Sequence, residues 1–285
     1  MTWRAYQVVL RLRSPLHIGW GKVGNLQRTR PYVTGRVLWG ALTARLARDQ
    51  VPPGKPATAP DLYEAMGQQV HQLLAFTYLF TTTWQDGHVD IWPWEKGFSH
   101  QFLSTYASTA LIYPQQSAAE GTLHEVECIS PHTPVDGRPV YLTGYIFAQE
   151  DAPEFSSTLH RLQLGGERGY GWGRVEQVKC QEWDSEQPIF GQYTFHHSRW
   201  PPVLTAVKEA KLLAHALAVD FNDDGLRRAV QHVDGPIEPL VGRETKAGGR
   251  FGEQVSHAHI CYVPGSNVEP GSTFQIGPYG IWEAP

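Results

Sequence analysis

LGGERGYGWGRVE, residues 164–176, holds five glycines, two arginines, a tyrosine and a tryptophan. A hairpin turn needs one or two glycines, whereas a loop against which phosphates or bases lie closely uses them all. The stretch matches neither GxGxxG nor GxxxxGK followed by Ser or Thr. Downstream, GRVEQVKCQEW (173–183) sets Val175, Val178 and Cys180 among polar neighbours, the pattern of a strand. Dinucleotide and nucleoside-triphosphate cradles open a helix at this point, so both are disfavoured. What remains are the ingredients of single-stranded nucleic-acid binding. Gly166, Gly169 and Gly171 expose backbone N–H groups, Arg168 and Arg174 are phosphate donors, and Tyr170 and Trp172 are stacking surfaces. The glycines by themselves also fit a plain tight hairpin, so the rest of the chain has to decide.

The 285 residues suffice for one large domain or two small ones. Charged residues are only 18%, aromatics reach 12%, and 28 Gly with 21 Pro promise many loops in a globular chain. No apolar run is long enough to cross a bilayer, and MTWRAYQVVLRLR lacks the form of a signal peptide. Cys128, Cys180 and Cys261 are odd in number and widely spaced, without a CxxC, and read as reduced thiols of a cytoplasmic protein. The net charge of −4 conceals an asymmetry. Residues 1–50 carry nine Lys or Arg against Asp49 alone, so one part of the chain can present a basic face to a polyanion. A solvated face neutralised by the acidic remainder is the alternative.

Along the chain, residues 4–13 alternate, with Tyr6, Val8, Leu10 and Leu12 on one side and Gln7, Val9, Arg11 and Arg13 on the other. That is a half-buried strand with a polar outer face. A long loop to residue 33 follows, and then a helix with Thr34 as N-cap, Leu38, Leu42 and Leu46 forming its stripe. A second helix begins at Asp61 and Glu64 in capping-box spacing, with Leu62, Met66, Val70, Leu73 and Leu74 as its buried face. Residues 84–138 are irregular and suit a projecting hairpin. RPVYLTGYIFA (138–148) is a buried strand, and EFSSTLHRLQL (154–164) a helix or strand. The order fits an α+β, ferredoxin-like βαββαβ unit with insertions over 1–181. In 182–285 two helical stretches (201–220 and 223–233), a second glycine-basic run with Lys246 and Arg250, and strands at 257–263 and 273–283 suggest an extension or a second, degenerate half of the same kind.

Catalytic constellations are sparse. His196-His197 and His257-Ala-His259 have no Asp, Glu or Cys at a spacing that completes a metal site, so no metal or other cofactor is expected. His17, at a strand end, can be written as a base in RNA cleavage or as a packing residue.

Three segments taken together resemble the RAMP superfamily of CRISPR-associated RNA-binding proteins. LRLRSPLHIGWG (10–21) is similar to that family's opening strand with its SPLHIG-like turn. RPYVTGRVLWGALTARLA (30–47) is similar to its entry into the first helix, although TGRVLWGAL stands where many members carry a Ser-rich turn. LGGERGYGWGRV is similar to its signature glycine-rich loop. The likeness covers 1–181 well and the remainder loosely.

The resemblance implies an RRM-related core in a type III effector complex, with crRNA, a neighbouring backbone subunit and a large polymerase-like subunit as partners, target RNA nearby and no membrane. Backbone members of type III cut target RNA with an Asp in the loop after the first strand. Residues 18–33 contain no Asp or Glu, so the implied role is a non-catalytic subunit capping the 5′ tag of the guide. Arg11, Arg13, Lys22, Arg28, Arg30 and Arg36 would grip phosphates, and the loop at 165–173 would pack against the tag, with Tyr170 or Trp172 stacking on a splayed base. A repeated backbone subunit, an endoribonuclease that processes precursor crRNA, and a protein-binding module with an acidic partner remain alternatives.

Overall fold

The computed structural model describes residues 2–184, 186–219, 228–244 and 252–285. β1 (Arg4–Leu12) forms where the alternation places it. The segment expected to be a loop carries structure of its own. β2 (Gly19–Val23) and β3 (Leu26–Thr29) make a hairpin about Gly24-Asn25, with Gly24 at φ 59°, and β4 (Tyr32–Val33) follows. α1 (Gly35–Asp49) buries Leu38, Leu42 and Leu46. Thr34 precedes it, accepting through its carbonyl from the N–H groups of Val37 and Leu38, while its hydroxyl caps nothing.

α2 (Pro60–Leu73) starts at a proline, whose fixed φ suits a first turn, so Asp61 lies inside the helix and the capping box does not form. Met66 and Val70 are buried, and Leu74 already belongs to β5 (Leu74–Phe76), which leads to β6 (Leu79–Thr82). The insertion holds α3 (Phe98–Phe102), β7 (Leu103–Ser108), β8 (Leu111–Ile112), β9 (Ser117–Ala118) and β10 (His124–Ile129). β7 and β10 pair antiparallel and β8 pairs with β9 at their far end, which is the hairpin the composition suggested. β10 also pairs with β3, so the insertion and the β2–β3 hairpin share one four-stranded sheet. β11 (Tyr141–Ala148) is buried throughout, a 3₁₀ turn spans Ser156–Arg161, and β12 (Val175–Glu182) follows the glycine loop.

The main sheet runs β12-β1-β11-β6-β4, antiparallel at every pairing, with β5 also on β11. α1, α2 and the 3₁₀ turn cover one face, where Leu38, Leu42, Val70 and Leu159 join Val8, Leu10, Leu142 and Ile146 in a single core.

The second half departs furthest from expectation. Residues 201–220, expected to be helical, form β14 (Val203–Ala206), β15 (Ala210–Lys211) and β16 (Ala216–Val219), after β13 (Tyr193–His196). The reason lies in the run Leu212–Leu217, every residue of which is buried. With its connection Leu212–His215 and the start of β16 both buried, the run has no polar face to turn to solvent as a surface helix would, and this overrides the helical propensity of Ala, Leu and Lys. Of the second expected helix, 223–227 lies outside the described residues, and 228–233 is not helical. β17 (Val233–Asp234), β18 (Ile237–Glu244), β19 (Gln254–Tyr262), β20 (Asn267–Val268), β21 (Thr273–Ile276) and β22 (Trp282–Glu283) complete the chain. They build a seven-stranded sheet, β13-β14-β21-β22-β16-β19-β18, and a small one, β15-β20-β17. Among the described residues of 182–285 there is no α-helix, so no second βαββαβ half is present in them.

That sheet explains a further departure. Gln7 and Val9, expected on a polar outer face, are buried at 5% and 0% exposure. The second half packs on that face: Phe147 meets Phe195 at 4.7 Å, and Tyr145 meets Phe190 at 4.9 Å. Ala5, Tyr78, Phe80, Tyr193, Phe274 and Trp282 share this second core, so the central strands are buried on both sides.

Candidate nucleic-acid interface

The glycine loop is stitched to the turn after β1. Gly166 N–H donates to the His17 carbonyl and Gly173 N–H to the Pro15 carbonyl, both at 2.8 Å, while Arg174 N–H donates to Ser14 Oγ at 2.9 Å. Two of the five glycines are required by this closeness. At Gly165 (φ 73°) a Cβ would lie 2.3 Å from the His17 carbonyl oxygen, and at Gly173 (φ 76°) 1.8 Å from that of Leu164. Their freedom serves close approach of the chain to itself. Gly169, by contrast, faces open space.

The two aromatic residues of the loop part company. Tyr170 is 81% exposed. Trp172, read from the sequence as a stacking ring, is buried against Val126 and Cys128, with Tyr106 edge-on at 5.8 Å. It fastens the loop to the β7–β10 hairpin and offers no open face. His17 is also buried, its Nδ1–H donating to the Glu127 carbonyl at 2.8 Å.

The arginines expected to act together serve different ends. Arg28 donates from Nε to Glu127 at 2.9 Å. Arg13 lies 3.6 Å from Glu176, at the surface. Arg30 is held inside the chain, its Nη1 donating to Glu238 Oε1 at 2.6 Å. Arg36 donates to the Arg243 carbonyl at 2.6 Å and to Ser256 Oγ at 2.7 Å, with its guanidinium 4.8 Å from the centre of the Tyr279 ring. The side chains of Arg11, Lys22, Arg168 and Arg174 pair with no described side chain, although Gln163 Nε2 donates to the Arg168 carbonyl at 3.0 Å. Lys246 and Arg250 lie outside the described residues.

A groove of about 730 Å³ brings the three sequence landmarks together. His17, Gly19 and Trp20 come from the turn after β1, Arg30, Thr34 and Arg36 from the entry to α1, and Gly165, Gly166 and Arg168 from the glycine loop. Arg243, His257 and Tyr279 of the second half supply the opposite wall. Arg11, Arg13, Lys22, Arg28, Tyr170, Trp172 and Arg174 do not line it. The sequence marked His257 and a second glycine-basic run but not their place opposite the landmarks, since they lie some two hundred residues away and are brought in only by packing. A larger cleft of about 1120 Å³, lined by Trp92, Trp183 and Phe190, lies away from all three landmarks.

Beneath the groove lies a buried polar chain. Glu238 Oε1 accepts from Arg30 and, at 2.6 Å, from His215 Nε2, and the Tyr78 hydroxyl is 2.7 Å from His215 Nδ1. The carboxylate fixes the tautomer: Nε2 carries the proton, and Nδ1 accepts from Tyr78. Burial holds His215 below its ordinary value, hence neutral, and pushes the Tyr78 hydroxyl well up, hence protonated. Burial pushes Glu238 upward too, but the bonds from His215 and Arg30 outweigh it and hold the carboxyl down at about 2. Among the described residues no cluster of His, Cys, Asp or Glu is placed to hold a metal ion.

No family model matches the chain, and no curated protein does. Among solved structures, a chain of the Type III-B Cmr-beta bound to cognate target RNA and AMPPnP superposes with a TM-score of 0.48 at 13% identity, over 92% of this chain and 85% of that one. A chain of the Type III-B Cmr-beta bound to cognate target RNA gives 0.46 at 11%, over 92% and 86%. At these values the function has to be argued from this chain's own residues.

Proposed function

We propose that this chain holds RNA as a non-catalytic, crRNA-binding subunit of a type III CRISPR effector complex, capping the 5′ tag of the guide. The observation that carries the reading is the convergence of three motifs, separated by up to 150 residues in sequence, on one groove with Arg36, Arg168 and Arg243 in its walls. These are the segments through which the chain resembles the RAMP superfamily. Positive charge beside a wide concave surface suits a phosphate backbone, and an unpaired end leaves base faces free for rings.

Further support comes from the main sheet. Its order, β12-β1-β11-β6 with α1 and α2 between β1 and β5, is compatible with the proposed ferredoxin-like, RRM-related unit over 1–181, in which the 3₁₀ turn would stand for the second helix. The residues 182–285 then act as a cover that supplies the second wall. The absence of any acid between residues 18 and 33 supports holding over cutting, because metal-assisted phosphodiester cleavage needs an acidic group there. Backbone and polymerase-like subunits are the expected neighbours and the cytoplasm the expected compartment, in keeping with three free thiols.

The test is single-stranded RNA binding measured against salt. Arg168→Glu, at an exposed and unpaired position, is expected to weaken binding about tenfold near 0.1 M salt and to make log Kd less steep in log salt by about one charge. Undiminished binding would remove the reading. A processing nuclease would instead release discrete fragments from repeat-containing RNA without added metal, and lose that activity on His17→Ala.

A further inference from the structure

We infer that Trp20 is the stacking platform of the groove, taking the face of one unpaired nucleobase at its mouth. The inference rests on the RNA-holding reading and deepens it. β2 is exposed along its whole length, and the Trp20 indole is 52% exposed, so the ring is not there to fill a core. It is nevertheless held. Its Nε1–H donates at 3.1 Å to Glu238 Oε2, across the groove on β18, while the other oxygen of that carboxylate takes Arg30 and His215. An exposed indole anchored to a buried ionic chain has its orientation settled before any ligand arrives. The Arg28 guanidinium stands over the ring, 5.8 Å from its centroid, while about half of the residue stays open to solvent and to a flat partner.

The position completes the argument. Trp20 lines the same groove as Arg36 and Arg168, so a backbone whose phosphates follow those cations brings adjacent bases past the indole. Ring and cation in alternation are how single strands are held without reading sequence. The other rings suit the task less well: Trp172 is buried, Tyr170 lies outside the groove lining, Tyr78 is buried, and Trp39 and Tyr279 are packed on His71, on each other and, for Tyr279, on Arg36.

The experiment uses the full chain and a synthetic single-stranded RNA of about ten nucleotides, together with a series in which one nucleotide at a time lacks its base. Wild type is expected to lose about 5- to 100-fold in affinity at one position of the series and little elsewhere. Trp20→Ala should weaken the intact RNA by a similar factor and be indifferent to the missing base at that position. Trp20→Phe, which keeps a ring and loses the N–H, should retain most of the affinity. Trp20→Ala binding as tightly as wild type would overturn the inference. So would a Trp20→Phe as weak as Trp20→Ala, since the indole would then be only a fastener between β2 and β18. Wild type binding no member of the series would overturn the RNA-holding reading itself, a result distinct from either.

Discussion

Glu238 shows how much of this protein is decided by single contacts. One carboxylate takes Arg30, His215 and Trp20, and so ties the segment before α1, the interior of the second half and the edge of the groove to one point. Because its folded value of about 2 lies below its ordinary 4.5, its contribution to stability is complete above pH 4.5 and is lost as pH falls toward 2. Buried, neutral His215 works in the same direction, its contribution being present above its ordinary 6.5 and eroding below it. Glu238→Gln should therefore cost about 3 kcal/mol near neutral pH and leave a melting temperature that varies less between pH 4.5 and 2 than that of wild type. Thermal melts across that range would show it, and an unchanged pH profile would remove Glu238 as the linkage site. The sequence named Arg30 as a phosphate ligand because a surplus of arginines reads as a free basic face. Its partner stands 208 residues away, where no local pattern can point to it.

The glycine loop was the most legible element, and also the one whose details packing revised. Its place before a strand was plain from the alternation of 173–183. What the glycines are for was not, because a sequence cannot say whether a missing Cβ makes room for a ligand or for the chain itself. The contrast between two positions tests the answer. Gly173→Ala, with a positive φ and a carbonyl oxygen where the methyl would go, should cost several kcal/mol and detach the loop from Pro15. Gly169→Ala, with open space around it, should change stability by no more than about 0.5 kcal/mol. Equilibrium urea unfolding of both variants measures the difference. The β2–β3 hairpin was missed for a simpler reason: all of β2 is exposed, so no apolar alternation marks it. The strands at 203–219 were misread partly for the converse reason, since the unbroken buried run Leu212–Leu217 has no periodicity to distinguish strand from helix.

Across the whole molecule, the two halves share a core, with Tyr145 and Phe147 of β11 packed on Phe190 and Phe195. A shared core predicts a single cooperative unfolding transition, monitored by far-ultraviolet circular dichroism and tryptophan fluorescence together. Two separated transitions would show that the halves are stable alone. Phe195→Ala should lower stability by about 3–4 kcal/mol and move both signals equally. The sequence by itself determined the α+β character, the first strand, both long helices, the stripe of α1, the strand at 141–148 and the three landmarks, because each is a local pattern of burial or turn chemistry. Only the tertiary structure decided that the far face of β1 is covered, that Trp172 packs while Trp20 stands open, that Arg30 is neutralised from the second half, and that the landmarks meet in one groove. Those outcomes depend on which distant residue fills a given volume or meets a given charge, and such pairings are set by packing rather than by neighbours along the chain.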